Sequence, residues 1–263
     1  GDLTVCFSLT EPEAGSDAAA ISLAAVENGD DFVLNGQKVF TSGFKVSHLD
    51  VVAARTSSDG NKHHGITNFL VDTDSPGLES SPIETLGHWP LGTATLYFQD
   101  VRVPKSRMLG KLDEGWRDLG VYLRFERLCL SAARTGAAQA ALTDALTYAK
   151  QRRQFGRPIS EFQAVAHRLA DMQVMVEISQ MLVQRYAAKL DQGSATTRDA
   201  AILKLYACEA YKEVADLGLQ VLGGYGYTME HDLQRHFRDS RLGVIGAGTS
   251  DIQRNIIAKT MGI

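Results

Sequence analysis

Two short segments near the start of the chain carry side chains that suit a flat, polar ring. The turn Thr10–Ser16 offers two hydroxyls and free backbone N–H groups, and the segment Phe40–Ser42 places an aromatic before two more hydroxyls. Hydroxyl and N–H donors can bind the edge of a heterocycle, while an aromatic can cover its face. On spacing alone, a plain β-turn and an aromatic from the core of an edge strand account for the same residues.

Three later segments offer sites for an anion or for the close approach of a ligand. Arg152 lies at a predicted helix C-terminus, where it could bind a pyrophosphate or simply face the helix dipole. Gly223 and Gly224 allow a ligand near the backbone, but they also suit the end of a helix. Thr249 or Ser250 caps a final helix, whose first N–H groups attract anions. A structural explanation stays open for each segment.

The elements that position these residues change character near residue 110. Before it, short β-like runs are separated by turn residues, and Asn28-Gly29-Asp30-Asp31 marks a hairpin. The predicted strands are Leu3–Leu9, Ile21–Glu27, Phe32–Phe40, Leu49–Ala54, Ile66–Val71, Leu78–Glu84 and Thr95–Val103. This pattern predicts a small antiparallel barrel or sandwich and disfavours a doubly wound parallel sheet.

After residue 111 the apolar residues recur at helical spacing. The predicted helices are 114–153, 160–191, 197–222, 230–242 and 249–261. Ser160 and Gln163 have the spacing of a capping box at the start of the second helix. The sequence therefore predicts an α+β protein with a β-domain over 1–110 and a four-helix-bundle domain over 111–263.

The composition excludes several classes of function. The 263 residues carry 27 basic and 31 acidic side chains, which gives no basic field for nucleic acid. No apolar run approaches the ~20 residues that span a bilayer. The three cysteines, Cys6, Cys129 and Cys208, are too few and too scattered for a disulfide framework or a zinc site. We therefore expect neither a metal nor a nucleic acid.

Together, in this order, the motifs resemble those of the acyl-CoA dehydrogenases, a family of FAD flavoenzymes. The motifs are Thr-Glu-Pro-x-Ala-Gly-Ser-Asp from Thr10, Asn-Gly-Gln-Lys from Asn35, Arg-x-x-Phe-Gly from Arg152, Leu-Gly-Gly-x-Gly-Tyr from Leu222 and Gly-Thr-Ser-x-Ile-Gln from Gly248. The resemblance covers essentially the whole chain. It implies that 1–110 is the middle β-domain and 111–263 the C-terminal bundle, and we expect the family's N-terminal α-domain to be missing.

The resemblance also implies which residues bind FAD, at a dimer interface. Residues from both domains are involved, and Gln163 is both a capping and a cofactor candidate. At Phe40 the family often has Trp, and at Ser42 often Thr, so an aromatic cover and a hydroxyl are kept. The implied cofactor residues are Phe7, Leu9, Thr10, Ser16, Phe40, Thr41, Ser42, Arg152, Phe155, Gln163, Gln220, Val221, Leu222, Gly223, Gly224, Thr249, Ser250 and Asp251.

The implied reaction removes the α-proton of an acyl-CoA thioester and passes the β-hydride to FAD, giving a trans-2-enoyl-CoA. Many members place the catalytic Glu where this chain has Ala247, which cannot take a proton. Isovaleryl- and long-chain-type members instead carry it in a Glu-Arg-Leu segment, and Glu126 matches that position, 26 residues before Arg152. Glu126 is the expected base, although a solvated or ion-paired helix carboxylate is the alternative. The Ala247 N–H is expected to bind the thioester carbonyl.

Further expectations concern the substrate and partners. The implied substrate contacts are Ser16, Arg124, Phe125, Arg127 and Gly248; Arg127 could equally form a structural ion pair. The small residues around Ala247 suggest a branched or bulky short acyl group, from fatty-acid or branched-chain amino-acid catabolism. An electron-transfer flavoprotein is the expected acceptor. The chain is expected to form a homodimer or homotetramer, in the cytoplasm of a bacterium or in the mitochondrial matrix.

Two other functions stay open at this stage. A flavin oxidase or monooxygenase of the same fold would react with O₂ and form hydrogen peroxide from an acyl-CoA. A truncated, non-catalytic subunit of a flavoprotein assembly would not need a base at all. A yellow colour and a flavin spectrum would argue against the second alternative.

Overall fold

The computed structural model describes residues 1–263 and divides them between two units, Gly1–Tyr122 and Leu123–Ile263. The first unit is mostly β-structure and the second mostly α-helix. A long helix begins in the first unit and continues into the second. The predicted β-domain followed by a helical bundle is confirmed.

The first unit contains one eight-stranded sheet. Its strands are β1 (Val5–Ser8), β2 (Ala24–Asn28), β3 (Asp31–Ser42), β4 (Leu49–Arg55), β5 (Ile66–Asp72), β6 (Leu78–Ile83), β7 (Thr93–Pro104) and β8 (Met108–Leu109). All seven predicted strands are present, and the hairpin forms where Asn28 pairs with Asp31. The eighth strand is too short for its periodicity to be recognised.

The sheet is mixed rather than wholly antiparallel. Its order is β6-β7-β3-β2-β4-β5-β8, and β1 pairs with β4 beside this path. Strands β1 and β2 both run parallel to β4, while the other pairs are antiparallel. The C-terminal ends of β1 and β3 lie close together. The Thr10 carbonyl, just after β1, accepts a hydrogen bond from the Val39 N–H of β3, while β1 itself pairs with β4.

The alternation of side chains along the strands builds the core of the first unit. Leu34, Val52, Phe69 and Leu96 are fully buried, and Phe32 packs on Phe69 with ring centroids 5.0 Å apart. Apolar residues at every second position share one face of a sheet, so this face is removed from water.

The second unit is built around one central helix. Its helices are α1 (Gly115–Gln151), α2 (Gln163–Asp191), α3 (Thr197–Leu222), α4 (Leu233–Gly243) and α5 (Ser250–Thr260). Helix α3 packs against α2, α4 and α5. Its alanines and small residues, buried along most of its length, allow this close packing. The bounds predicted for α3 are those observed.

One predicted cap is wrong. Ser160 lies in a 3₁₀ turn after Pro158, and α2 begins at Gln163 with Phe162 as its N-cap, so Ser160 and Gln163 form no capping box. A capping box occurs instead at α3, where Thr196 and Asp199 each bind the other's backbone N–H. The fixed φ of Pro158 favours the tighter turn, and Ser160 therefore lies two residues before the N-cap of α2, too early to cap it.

Candidate functional site

In the first unit, a buried hydrogen-bond chain joins the ends of β1 and β3. Ser8 Oγ donates to Asp50 Oδ2 at 2.6 Å and lies 2.8 Å from Thr41 Oγ1. All three side chains are at most 1% exposed. Burial raises the pKa of Asp50 to about 6, against the opposing hydrogen bonds of Ser8 and Cys6 and the charge of Lys38. The chain fixes two strand ends that carry predicted cofactor residues.

Phe40 stands at an irregular point of β3. Its φ is 61°, and the pairing of β3 with β7 shifts between Lys38 and Thr41. Its ring is 63% exposed. A bulky residue in the left-handed region is strained, and such strain is concentrated at binding sites. An exposed aromatic held in this way fits a residue that covers a planar ligand.

A buried ion pair holds the turn that follows β1. Lys38 Nζ lies 2.7 Å from Glu11 Oε1 and donates to the Leu9 carbonyl at 2.9 Å. Glu11 also accepts hydrogen bonds from Ser22 N–H, Ser22 Oγ and Leu23 N–H. Burial alone would raise the pKa of Glu11, but the charge of Lys38 and these hydrogen bonds together hold it below its usual value.

The remaining predicted residues of this unit border the same turn. Phe7 and Leu9 are half-buried and pack against a small apolar cluster that includes Ala14 and Ile21. Ser16 and Ser42 are exposed, and Thr10 is half-buried. The first unit thus brings together Phe7, Leu9, Thr10, Phe40, Thr41 and Ser42 around the ends of β1 and β3. No short contact joins Ser16 to this group.

In the second unit, two of the sequence motifs meet at the end of α1. The Arg152 guanidinium lies over the ring of Tyr225, 5.7 Å from its centroid. Tyr225 also packs against Tyr148 and His231. Arg152 and Gly223–Gly224 are exposed, while Val221 and Leu222 are buried. This arrangement leaves a guanidinium and a glycine-rich backbone accessible beside an aromatic cluster.

Phe155 lies at the tip of a short hairpin between β9 (Arg153–Gln154) and β10 (Arg157–Pro158). It has a φ of 51° and is 93% exposed. Its ring packs edge-on against Phe162, with the centroids 6.0 Å apart, and otherwise faces solvent. Gln163 and Gln220 are also exposed, and no contact joins them to Phe155.

Glu126 is a half-buried carboxylate of the second unit. Its Oε2 is inaccessible to water and has no hydrogen-bond partner. Burial raises its pKa above the usual value, against the opposing charges of Arg127 and Lys204. The neighbouring Arg127 is 6% exposed, and burial lowers its pKa. A carboxyl group whose pKa is raised and which lacks a fixed partner is suited to accept a proton.

The loop between α4 and α5 lies close to this carboxylate. Lys204, whose charge acts on Glu126, donates from Nζ to the Gly248 carbonyl at 2.7 Å. A Cβ placed on Gly248 would lie 3.8 Å from Arg127 Nη2. Ala247 has a φ of 53°, and no hydrogen bond within the chain uses its N–H. The structure therefore brings the Glu-Arg-Leu segment and the Ala-Gly-Thr-Ser segment together.

Helix α5 begins directly after this loop. Thr249 caps it by accepting a hydrogen bond from Ile252 N–H at 3.2 Å, as predicted. Ser250 Oγ is buried and has no partner within the chain, and Asp251 is exposed. A buried hydroxyl without a partner is costly unless a ligand supplies one. The unpartnered Ser250 hydroxyl therefore fits a contact with a hydrogen-bonding ligand at the start of α5.

Arg124 and Phe125 precede Glu126 on α1. Phe125 is 60% exposed and Arg124 is half-buried, with its carbonyl accepting a hydrogen bond from Tyr186 Oη at 3.3 Å. Their place beside Glu126 is compatible with the predicted substrate contacts. No group of three or more His, Cys, Asp or Glu side chains is placed to hold a metal ion, and no helix is long and apolar enough to cross a bilayer.

Several polar residues of these sites escaped the sequence reasoning. Lys38, Asp50 and Lys204 are 0% exposed, and so is Gln253. In the sequence Lys38, Asp50 and Lys204 resemble ordinary surface residues, because their partners lie 27 to 44 positions away. The Asn-Gly-Gln-Lys and Gly-Thr-Ser-x-Ile-Gln motifs include Lys38 and Gln253, but they predict no role for either side chain.

Comparison with known proteins assigns the chain to a family. Residues 6–101 match the acyl-CoA dehydrogenase middle domain, and residues 113–262 match the acyl-CoA dehydrogenase C-terminal domain. The chain belongs to the acyl-CoA dehydrogenase family. The protein is therefore an oxidoreductase of the acyl-CoA dehydrogenase class, whose cofactor is FAD.

Individual relatives agree with this assignment. The chain is 38% identical over 263 residues to a 3-(aryl)acrylate reductase of Clostridium sporogenes, covering 99% of this chain and 69% of that protein. It is 37% identical over 260 residues to the caffeyl-CoA reductase-Etf complex subunit CarC of Acetobacterium woodii, covering 98% and 68%. The structure of butyryl-CoA dehydrogenase from Megasphaera elsdenii superposes with a TM-score of 0.96 at 35% identity, covering 100% and 69%. The chain thus spans about two thirds of the length of these relatives.

Proposed function

We propose that the protein catalyses FAD-dependent α,β-dehydrogenation of an acyl-CoA thioester to a trans-2-enoyl-CoA, with Glu126 as the base. The observation that carries this proposal is the half-buried Glu126 carboxylate, whose Oε2 is inaccessible and unpartnered and whose pKa is raised, near the Ala247–Gly248 loop. Family membership supports the class of reaction. The position of Glu126 supports it as the base in a chain that has Ala247 where many family members carry the catalytic Glu.

Glu126, Ala247 and Arg127 have different roles in the proposed reaction. The Glu126 carboxylate accepts the proton from the α-carbon, which leaves negative charge on the thioester oxygen. The free Ala247 N–H donates a hydrogen bond to that oxygen and stabilises the charge. FAD, when bound, supplies the acceptor for the β-hydride. Arg127, beside the base, keeps positive charge near the developing anion.

The proposed substrate is a branched or otherwise bulky short acyl group. Ala247 has a one-carbon side chain, and Gly246 and Gly248 flank it. Two relatives are named for aryl-acrylate and caffeyl-CoA substrates, which supports a bulky acyl group. Faster turnover of a straight medium-chain acyl-CoA than of any branched one would contradict this assignment.

We also propose a homodimer or dimer of dimers that passes electrons to an electron-transfer flavoprotein. One relative is named as a subunit of a reductase-Etf complex, which supports such a partner. Arg152 lies 26 residues along from Glu126, or about 39 Å when the axis of α1 is followed. Because Arg152 lies so far from the base of its own subunit, we propose that it contacts the FAD of a neighbouring subunit. The proposed location is the cytoplasm of a bacterium, or the mitochondrial matrix.

A second candidate function is the reverse reaction, reduction of a 2-enoyl thioester. Two relatives are named as reductases, which favours it specifically. The same carboxyl group would then return a proton to the α-carbon.

Anaerobic titration of the FAD-loaded protein with a panel of acyl-CoAs tests the proposal. We expect the flavin absorbance to bleach, most rapidly with branched or bulky short acyl groups. Bleaching by none of the panel, and no reoxidation of the reduced protein by the matching enoyl-CoAs, would refute both directions. Steady formation of hydrogen peroxide in air would instead indicate an oxidase of the same fold.

A further inference from the structure

Two wholly buried side chains donate hydrogen bonds to the backbone of the loop between α4 and α5. Lys204 of α3 and Gln253 of α5 are both 0% exposed. Lys204 Nζ donates to the Gly248 carbonyl at 2.7 Å. Gln253 Nε2 donates to the Ala247 carbonyl at 3.2 Å and to the Gly248 carbonyl at 2.9 Å. Three hydrogen bonds thus converge on two consecutive carbonyl groups.

The backbone of this loop is strained where it is held. Ala247 and Gly248 have φ values of 53° and 83°. A non-glycine residue in this region costs about 1 kcal/mol or more and persists when its surroundings impose it. Because both carbonyls are bound on the inner side, the conformation is imposed by Lys204 and Gln253. The Ala247 N–H is left without a partner in the chain.

The Lys204 ammonium also belongs to the electrostatic surroundings of Glu126. Burial lowers the pKa of Lys204, and the groups that act on its charge are Cys208, Arg127, Glu126 and Arg134. On Glu126, the opposing charges are those of Arg127 and Lys204. One side chain therefore touches the carbonyl-binding loop and acts on the base.

We propose that Lys204 is a positioning residue, which with Gln253 fixes the Ala247 N–H toward the thioester oxygen and places a cation beside the Glu126 carboxylate. This inference rests on the proposed function, because it assigns the loop to thioester binding. It differs from it in naming residues that touch neither substrate nor cofactor.

The test compares Lys204→Met and Gln253→Met with Lys212→Met as the control. Methionine keeps most of the volume of each side chain and removes its donor. Lys212 lies on the same helix, is only half-buried, and is outside the site. The three variants and the unchanged protein are loaded with FAD, and their flavin content and unfolding temperature are measured first.

The first readout is hydrogen–deuterium exchange of the amides in 244–250, which needs no substrate. We expect exchange to rise at least ~10-fold in Lys204→Met and in Gln253→Met, and to stay unchanged in Lys212→Met. Unchanged exchange in both folded site variants would overturn the anchoring. If Lys204→Met does not fold, Gln253→Met alone decides this point.

The second readout separates position from charge. We expect kcat to fall ~10²-fold in both site variants with a much smaller change in KM, the scale of a misplaced oxyanion donor. The acidic limb of the kcat/KM profile should move to higher pH in Lys204→Met, because a cation that favours the Glu126 carboxylate is lost, and should not move in Gln253→Met. Equal pH profiles would overturn the electrostatic part.

Failure of the positioning role of Lys204 and Gln253 can be distinguished from failure of the proposed function. If no acyl-CoA or enoyl-CoA changes the flavin spectrum of the unchanged protein, the proposed function is wrong. The exchange experiment would still support or overturn the anchoring of the loop, since it uses the FAD-loaded protein alone.

Discussion

At the scale of single residues, the structure places carboxylates of raised pKa in both units, with different consequences. Glu126 has an unpartnered oxygen beside a proposed substrate loop, whereas Asp50 is enclosed under the ends of β1 and β3. A raised pKa alone does not make a catalytic acid or base; access to a reacting atom does. Asp50 is instead expected to control stability.

The pH dependence of unfolding reports on Asp50. Its pKa is raised from 3.8 to about 6, so the folded state binds more protons between those values. The free energy of unfolding should therefore fall as the pH rises through that window. We expect Asp50→Asn to remove this slope and to be more stable at pH 7 by about 1–2 kcal/mol. This is less than the roughly 3 kcal/mol that a two-unit shift represents, because an amide N–H₂ there lacks an acceptor.

Urea unfolding at several pH values between about 4 and 7 measures the effect. The matched control is Asp72→Asn, because Asp72 is an exposed carboxylate at the end of β5. A slope that survives in Asp50→Asn and disappears in the control would reverse the assignment.

At the scale of elements, the turn that follows β1 depends on the buried ion pair between Glu11 of that turn and Lys38 of β3. In Lys38→Met the Glu11 carboxylate, 4% exposed, would lose its counter-ion. We expect a loss of about 3 kcal/mol in the stability of the first unit. FAD retention should weaken too, because Lys38 also holds the Leu9 carbonyl. Adding Glu11→Gln should recover part of the loss, because the unpaired charge is then removed.

The control for this prediction is Lys62→Met. Lys62 pairs with Asp17 at 2.7 Å, but both side chains are more than half exposed. Such a pair contributes about 0–1 kcal/mol. Similar losses for the Lys38 and Lys62 variants in thermal and urea unfolding would show that the buried pair has no special role.

The elements also show where sequence reasoning reaches its limit. Helix α3 was predicted with its observed bounds, since an amphipathic run ends at Gly223 and both cues are local. The parallel pairing of β1 with β4 was missed, because it joins residues more than 40 positions apart. Of the candidate site, the motifs predicted Glu126 and the Ala247 loop as partners. The buried Lys204 between them was invisible, since only tertiary packing removes it from water.

At the scale of the whole molecule, we propose that the exposed hairpin tip at Phe155 docks against a second subunit. Phe155 has a positive φ, is 93% exposed and packs within its own chain edge-on against Phe162, so the fold gains little from its ring. We expect Phe155→Gly to leave the unfolding temperature of the monomeric fold unchanged or slightly higher, because strain is relieved. It should weaken both dimerisation and FAD retention.

Sedimentation velocity with absorbance at the flavin wavelength measures both quantities together. The control is a matched substitution of Phe237, an aromatic on α4 that is 40% exposed and has no predicted role in binding. A Phe155→Gly protein that still forms the dimer with a full complement of FAD would contradict this role. So would an unchanged protein that is monomeric and holds FAD stoichiometrically.

The central claim is that Glu126 is the base that removes the α-proton. The most direct measurement is the anaerobic stopped-flow rate of flavin reduction by an acyl-CoA that bleaches the unchanged protein. The variants are Glu126→Gln and, as the control, Asp144→Asn, an exposed carboxylate on the same helix. We predict that Glu126→Gln keeps FAD and binds acyl-CoA but is reduced at least ~10³-fold more slowly, while the control is unaffected. Near-normal reduction in Glu126→Gln would contradict the account.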